Sequence, residues 1–182
     1  MNDKIISSTE NTYFKNLKKI YRSKIHRKKL NKTLLDGPHL IRTFLDSGRD
    51  CINFIVDESS HSNEIELLIR RNPNVDLVKL NHELFCKISD LNSSTGLMAL
   101  IEIPLENSTL QTKGFHLILN DIQDPGNVGS ILRSHAALGN DFVFLSKGCC
   151  DLWSPKTIRG SQGVQFFLRC FEDQDIRKLI EN

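Results

Sequence analysis

The sequence predicts an α/β protein built in two successive parts, and three observations carry that prediction. Between about residue 30 and residue 104, short apolar runs of strand length alternate with amphipathic runs of helical length. Residues 105–114 then break the pattern with a polar, aperiodic stretch. Beyond it a strand, a loop, a helix and a second strand follow one another through residues 115–145. That is a βαβ unit, which requires parallel strands and a right-handed crossover.

Residues 11–30 set Phe14, Leu17, Tyr21 and Ile25 in a narrow apolar stripe among lysines and arginines, so a basic amphipathic helix broken near Ser23 is expected. A short strand or turn follows at 33–38. A helix at 38–47 then carries Pro38 in its first turn, where the missing N–H costs nothing. Residues 51–56 form a strand, 63–71 a helix stopped by Pro73, and 75–80 a further strand. Asn81 suits the N-cap of a helix at 82–88. After the polar turn 92–96, residues 97–103 read as a buried strand ending at Pro104. In the second part the strand 115–120 runs into the loop 121–126 and a helix at 127–138, which Gly139 and Asn140 stop. A strand at 141–145, a short helix at 154–160, a strand at 164–170 and an amphipathic helix at 173–180 complete it. The expected division is a basic helical arm at 1–32, an α/β domain at 33–104, a linker at 105–114 and a second α/β part at 115–182.

Apolar content of 39% and charged content of 25% exclude wholesale disorder. No apolar run reaches bilayer length, and the first residues lack a secretory apolar core, so a cytoplasmic protein is expected. The five cysteines are scattered without a CxxC pair, which fits reduced thiols better than a disulfide framework or a zinc site, and no metal is expected. His82 and Cys86 share a helical spacing, read as a surface histidine and a small buried thiol. The net charge of +2 conceals an asymmetry. Residues 1–32 hold ten Lys or Arg against two acids, a net of +8, and the remainder holds fourteen against twenty, a net of −6. A basic arm before a mildly acidic body suggests an anionic polymer as partner, most simply nucleic acid. A solvated basic helix without a partner is the alternative.

The loop at 124–129 lies where open α/β sheets place ligands, between a strand's carboxyl end and a helix. Gly126 and Gly129 suit positive φ or close backbone approach, and free N–H groups at a helix start favour an anion. Neither a GxGxxG fingerprint nor a GxxxxGK[ST] loop is present, so a nucleotide-binding ATPase or dehydrogenase is disfavoured. Arg133 lies six residues past Asn127 on the same helix. Trp153, a lone aromatic near a proline, reads as packing in preference to base stacking.

Two motifs carry a family resemblance. The run from Asn120 through Asp124-Pro125-Gly126-Asn127-Val128-Gly129-Ser130-Ile131-Leu132-Arg133 resembles the first motif of the SpoU/TrmH-type RNA 2′-O-ribose methyltransferases of the SPOUT superfamily. The run Gly148, Asp151, Ser154-Pro155-Lys156, Arg159, Ser161 and Gly163 resembles its second. Residues 12–104 resemble the family's L30e/L7Ae-like RNA-binding domain, matching at Leu35-Asp36-Gly37-Pro38 and Ser94-Thr95-Gly96-Leu97. The resemblance implies an α/β-knot (SPOUT) parallel-sheet domain after an L30e-like one. It implies methyl transfer from S-adenosylmethionine to a ribose 2′-hydroxyl, on ribosomal in preference to transfer RNA, by a homodimer. By position Arg133 is the catalytic arginine and Asn127 the residue that orients it. Lys18, Lys19, Lys28, Lys29, Lys156 and Arg159 are candidate RNA contacts. His135 stands where the family has a small residue, and the later motifs that grip the cofactor and tie the knot do not occur in these residues. The resemblance therefore implies a member cut before its cofactor site, inactive by itself. An RNA-binding module without activity is the alternative, and a small-anion-binding domain a third reading.

Overall fold

A computed structural model describes residues 5–91, 93–105 and 115–181. The chain forms two compact units divided between Ile103 and Pro104. Most of the proposed linker, residues 106–114, lies outside the described residues.

The first unit holds β1 (Ile5–Ile6), α1 (Thr12–Arg22), α2 (Lys24–Leu30), β2 (Lys32–Asp36), α3 (Pro38–Asp46), β3 (Asn53–Asp57), α4 (Asn63–Arg71), β4 (Asp76–Leu80), α5 (His82–Cys86) and β5 (Leu97–Glu102). The strands make one sheet in the order β1-β4-β3-β5-β2. β3 and β4 run parallel, Asn53 opposite Asp76, whereas β5 lies antiparallel between β3 and β2, Leu100 facing Asn53 on one side and Leu34 on the other. Period-two alternation sends Leu34, Ile55, Met98 and Leu100 to one face, where they meet Phe14, Leu17, Ile20 and Tyr21 of α1 and Leu84 and Phe85 of α5. Leu35, Phe54, Val56, Leu97, Ala99 and Ile101 are also buried and point the other way, where α3 packs on β2 and β5 with α4 beside it.

The expected arm is therefore a structural layer of this unit. A helix with four buried apolar residues on one stripe lies on the sheet and closes its core. The stripe differs by one residue from the sequence reading: Ile20 is buried, and Ile25, on the short α2, is 80% exposed. The break falls at Ser23, whose hydroxyl accepts from the His26 N–H and so caps α2. That break leaves the last carbonyls of α1 without helical partners. The buried Arg27 guanidinium supplies them, donating to the Ile20 and Tyr21 oxygens at 2.6 and 2.8 Å. Arg27→Met keeps the bulk and removes the donors, and is expected to cost about 2 kcal/mol in chemical denaturation. An unchanged midpoint would show that those carbonyls find other donors.

The second unit holds β6 (His116–Leu119), α6 (Pro125–Ala137), β7 (Phe142–Ser146), α7 (Pro155–Ser161), a 3-10 turn (Val164–Phe166), β8 (Arg169–Gln174) and α8 (Ile176–Glu181). β6, β7 and β8 form a parallel sheet in that order. The apolar run 164–170 reads as a strand in the sequence, but the structure makes the turn first and starts β8 at Arg169. Gln162 and Gly163 both take positive φ, and Ser161 and Gln165 hydrogen-bond to each other, with Gln165 also donating to the Leu152 carbonyl. This side-chain network holds the chain curled. Phe166 and Leu168 reach the core from the turned segment. Because β8 runs on to Gln174, α8 begins three residues later than expected. Trp153 is buried and stacks on Phe166 with ring centroids 6.4 Å apart, so it serves packing. Among the described residues no helix is long and apolar enough to cross a membrane.

Candidate functional site

The loop after β6 leads into α6, whose first turn begins at Pro125, two residues earlier than the sequence reading. Asp124 is the N-cap, its Oδ1 accepting from the Asn127 N–H at 2.8 Å. The Asp-Pro pair was a legible signal for this boundary, since a carboxylate caps well and proline suits the first helical position. The cap bears on the anion-binding expectation, because of the first-turn amides only the Gly126 N–H has no acceptor among the described residues. Pro125 has no N–H, Asn127 donates to the Asp124 side chain and Val128 to the Asp124 carbonyl. A carboxylate thus occupies the amide end of α6 and opposes a phosphate there.

The same loop is laced to the one after β7. The Asp121 N–H donates to Ser146 Oγ at 3.0 Å, the Cys150 N–H to the Ile122 carbonyl at 2.9 Å, and the Cys149 thiol to the Leu119 carbonyl at 3.2 Å. Asp121 itself takes φ 58°, and its carboxylate fills the space a Cβ on Gly148 would need.

Gly126 and Gly129 have ordinary helical φ, so their conformational freedom is not what the site uses. Close approach is. A Cβ on Gly129 would lie 2.3 Å from the Gly160 carbonyl carbon and 2.5 Å from the Ser161 nitrogen, so α6 and α7 cross backbone against backbone. Ser154 caps α7 by accepting from the Thr157 N–H at 3.0 Å, and Thr157 donates to the Asp151 carbonyl at 2.7 Å. Much of the second motif is thus local architecture: Ser154 starts the helix, Gly160 admits α6, and Ser161 and Gly163 turn the chain.

Arg133 lies on the face of α6 that carries Gly126 and Gly129, by i, i+3, i+7 spacing. It is exposed, and among the described residues no hydrogen bond, ion pair or ring contact engages its guanidinium. Asn127 is exposed too, but six residues turn the helix so that the two side chains lie about 120° apart around its axis and about 9 Å apart along it. No hydrogen bond joins them. Lys156 is exposed in the first turn of α7, and Arg159, half-buried, follows one turn later on the same helix. The crossing of α6 and α7 thus places Arg133, Lys156 and Arg159 on two helices in backbone contact.

His135 lies on the buried side of α6, and its Nε2 is 3.1 Å from the Phe142 carbonyl. The ring that replaces a small residue here is bonded to β7, so packing accommodates it. In the first unit Lys19, Lys28 and Lys29 are exposed and Lys18 half-buried, spread over α1 and α2, while Arg27 is withdrawn into the core. Arg22 and Lys15 pair with Asp90 and Glu10. Cys86 and His82 share a face as their spacing requires, but the thiol is exposed, not buried as expected. Among the described residues no group of three or more His, Cys, Asp or Glu could hold a metal ion.

Residues 114–182 match the SpoU rRNA Methylase family, and residues 11–99 match the MRM3-like substrate binding domain. The chain is 35% identical over 165 residues to the mitochondrial rRNA methyltransferase 3A of Danio rerio, covering 86% of this chain and 37% of that protein. It is 30% identical over 166 residues to the 23S rRNA (guanosine(2553)-2′-O)-methyltransferase RlmP of Bacillus subtilis (strain 168), covering 91% of this chain and 63% of that one. The crystal structure of an RNA 2′-O ribose methyltransferase superposes with a TM-score of 0.79 at 28% identity, over 98% of this chain and 69% of that one. The chain spans a little over a third of the length of the mitochondrial relative.

Proposed function

We propose that this chain, which belongs to the SpoU/TrmH-type RNA methyltransferase family, takes part in methyl transfer from S-adenosylmethionine to a ribose 2′-hydroxyl of ribosomal RNA. The observation that carries the reading is Arg133. It is an exposed guanidinium without a partner among the described residues, on the helix face that crosses α7, inside the segment matching the methylase family.

S-adenosylmethionine, when bound, supplies the electrophilic methyl on a sulfonium. The described residues serve the RNA side. Asp124 caps the amide end of α6, and the loops after β6 and β7 are bonded to each other. The ribose hydroxyl must lose its proton as its oxygen attacks. A guanidinium with a pKa above about 12 is a poor acceptor for it at neutral pH. Arg133 therefore acts by charge: its planar fork holds the phosphate beside the reacting ribose and stabilises oxyanion character on the 2′-oxygen. Asn127, on a different face and farther toward the start of α6, contacts the RNA or the sugar independently of Arg133. Lys156 and Arg159 extend the same cationic surface along the backbone.

On the first unit, Lys18, Lys19, Lys28 and Lys29 provide further phosphate contacts. Replacing exposed Lys28 and Lys29 together by alanine is expected to reduce the slope of log affinity against log salt by about 1.5, since each neutralised phosphate contributes about 0.7 to 0.9. A slope equal to that of the wild type would remove α2 from the interface. The function itself is tested by transfer of labelled methyl to 2′-hydroxyls of ribosomal RNA. Turnover lost in Arg133→Ala supports the enzyme reading. Salt-dependent RNA binding without turnover in the wild-type chain would replace it with that of an RNA-binding module.

A further inference from the structure

At the carboxyl ends of β3 and β4, the first unit aligns a carboxylate, an imidazole and a thiol. Asp57, the last residue of β3, is 2% exposed, and its Oδ2 lies 2.7 Å from His82 Nδ1 at the start of α5. One turn along α5, Cys86 Sγ lies 3.6 Å from His82 Nε2, the nearer of the two ring nitrogens. Asp57 also accepts from the Ser59 N–H and hydroxyl and from the Ser94 hydroxyl. Burial pushes the Asp57 carboxyl up, but the hydrogen bonds from His82 and Ser59 more than offset it, so it titrates below its ordinary value and is ionised at neutral pH. An ionised carboxylate can only accept, so Nδ1 carries a proton and Nε2 is the nitrogen left to accept one; the thiol, 3.6 Å from Nε2 and 3.9 Å from Nδ1, lies against the ring within reach of Nε2.

We propose that Cys86 is a reactive thiol, with His82 as its proton acceptor and Asp57 orienting the imidazole, and that it exchanges with low-molecular-weight disulfides. A thiol within reach of a base that a third group orients is the arrangement that activates a nucleophile. As Sγ attacks one sulfur of the small disulfide, its proton passes to His82 Nε2. The protein–sulfur bond forms, the small disulfide's S–S bond breaks, and the departing thiolate takes the proton back from His82. Cys86 ends as a mixed disulfide and one small thiol is released. Desolvation, then the charge of Asp57, pushes the Cys86 thiol above its ordinary value, so it is protonated at neutral pH and needs the imidazole. Glu83 on the same helix is paired with Lys87, which leaves Asp57 as the charge acting on the thiol from a neighbouring element among the described residues.

Of the five cysteines Cys86 is the exposed one. Burial, then Asp50, pushes Cys51 up to about 12, Cys149 is buried, and Cys150 and Cys170 are half-buried. The test is the rate at which the whole folded chain releases thionitrobenzoate from dithiobis(nitrobenzoate). One thiol should react in a fast phase, and mass spectrometry should place the adduct on Cys86. Cys86→Ser should abolish that phase. His82→Ala, at an exposed side chain, should slow it at least about tenfold at neutral pH. The two rates should converge at alkaline pH, where the thiolate forms without a base, an outcome that a purely structural role for His82 would not produce. A fast phase that survives Cys86→Ser, or a His82→Ala rate equal to the wild type at neutral pH, overturns the proposal.

Discussion

Gly129→Ala is expected to destabilise the second unit by about 3 kcal/mol, despite alanine's better helix propensity. Gly129 sits inside α6 with ordinary helical φ, so an isolated helix would gain about 1 kcal/mol from the change. In the fold the added carbon would meet backbone of α7 at 2.3 to 2.8 Å, at the Gly160 carbonyl carbon, the Ser161 nitrogen and the Gly160 Cα. None of those atoms belongs to a side chain that could rotate away. The helices must separate, which loosens the packing of Val128 and Leu132, both fully buried on α6. The check is chemical denaturation followed by the fluorescence of Trp153, the one tryptophan in the chain and a buried residue of this unit. Gly139→Ala is the control: open space surrounds its Cβ position, and its φ of 75° alone should cost about 1 kcal/mol. A Gly129→Ala midpoint at or above that of the wild type would show that the helices do not meet there.

If the proposed function holds, Arg133→Ala is expected to lower methyl transfer by about 100- to 1,000-fold, the usual loss when a donor to developing negative charge is removed. RNA affinity should fall far less, by the share of one phosphate contact, because the other cationic side chains remain. Stability should not change, because the guanidinium is exposed and engages nothing among the described residues. Arg133→Lys keeps the charge but loses the planar fork, and should recover only part of the rate. Loss of RNA affinity in proportion to rate would make Arg133 a general phosphate contact and not a group acting on the reacting ribose.

The legibility of the fold followed the range of the forces involved. Strand and helix order was readable wherever apolar periodicity was reinforced by a local stop or cap, as at Asn81, which accepts from the Leu84 N–H, and at Ser154. The segment 164–170 misled because its apolar alternation is that of a strand, while a buried Ser161–Gln165 bond holds it as a turn. β1 went unread because two residues of edge strand carry no periodicity. For the site, the motifs identified the helices and Arg133. They did not separate the residues that build the crossing, Gly129, Gly160 and Ser161, from those left free to meet RNA.

The sequence by itself determined the alternation of strands and helices, the caps, the basic character of α1 and α2, and the family to which the motifs belong. Each of these rests on residues a few positions apart. Tertiary structure alone decided that α1 closes a core, and that Arg27 turns inward to the carbonyls of α1 while Lys28 and Lys29 remain outside. It also decided that β5 enters the sheet antiparallel, that His135 finds the Phe142 carbonyl, and that Asp57 meets His82. In most of these the deciding partner is distant in the chain, and even for Arg27 and His135, whose partners lie six or seven residues away, the bond forms only after the intervening chain has turned back.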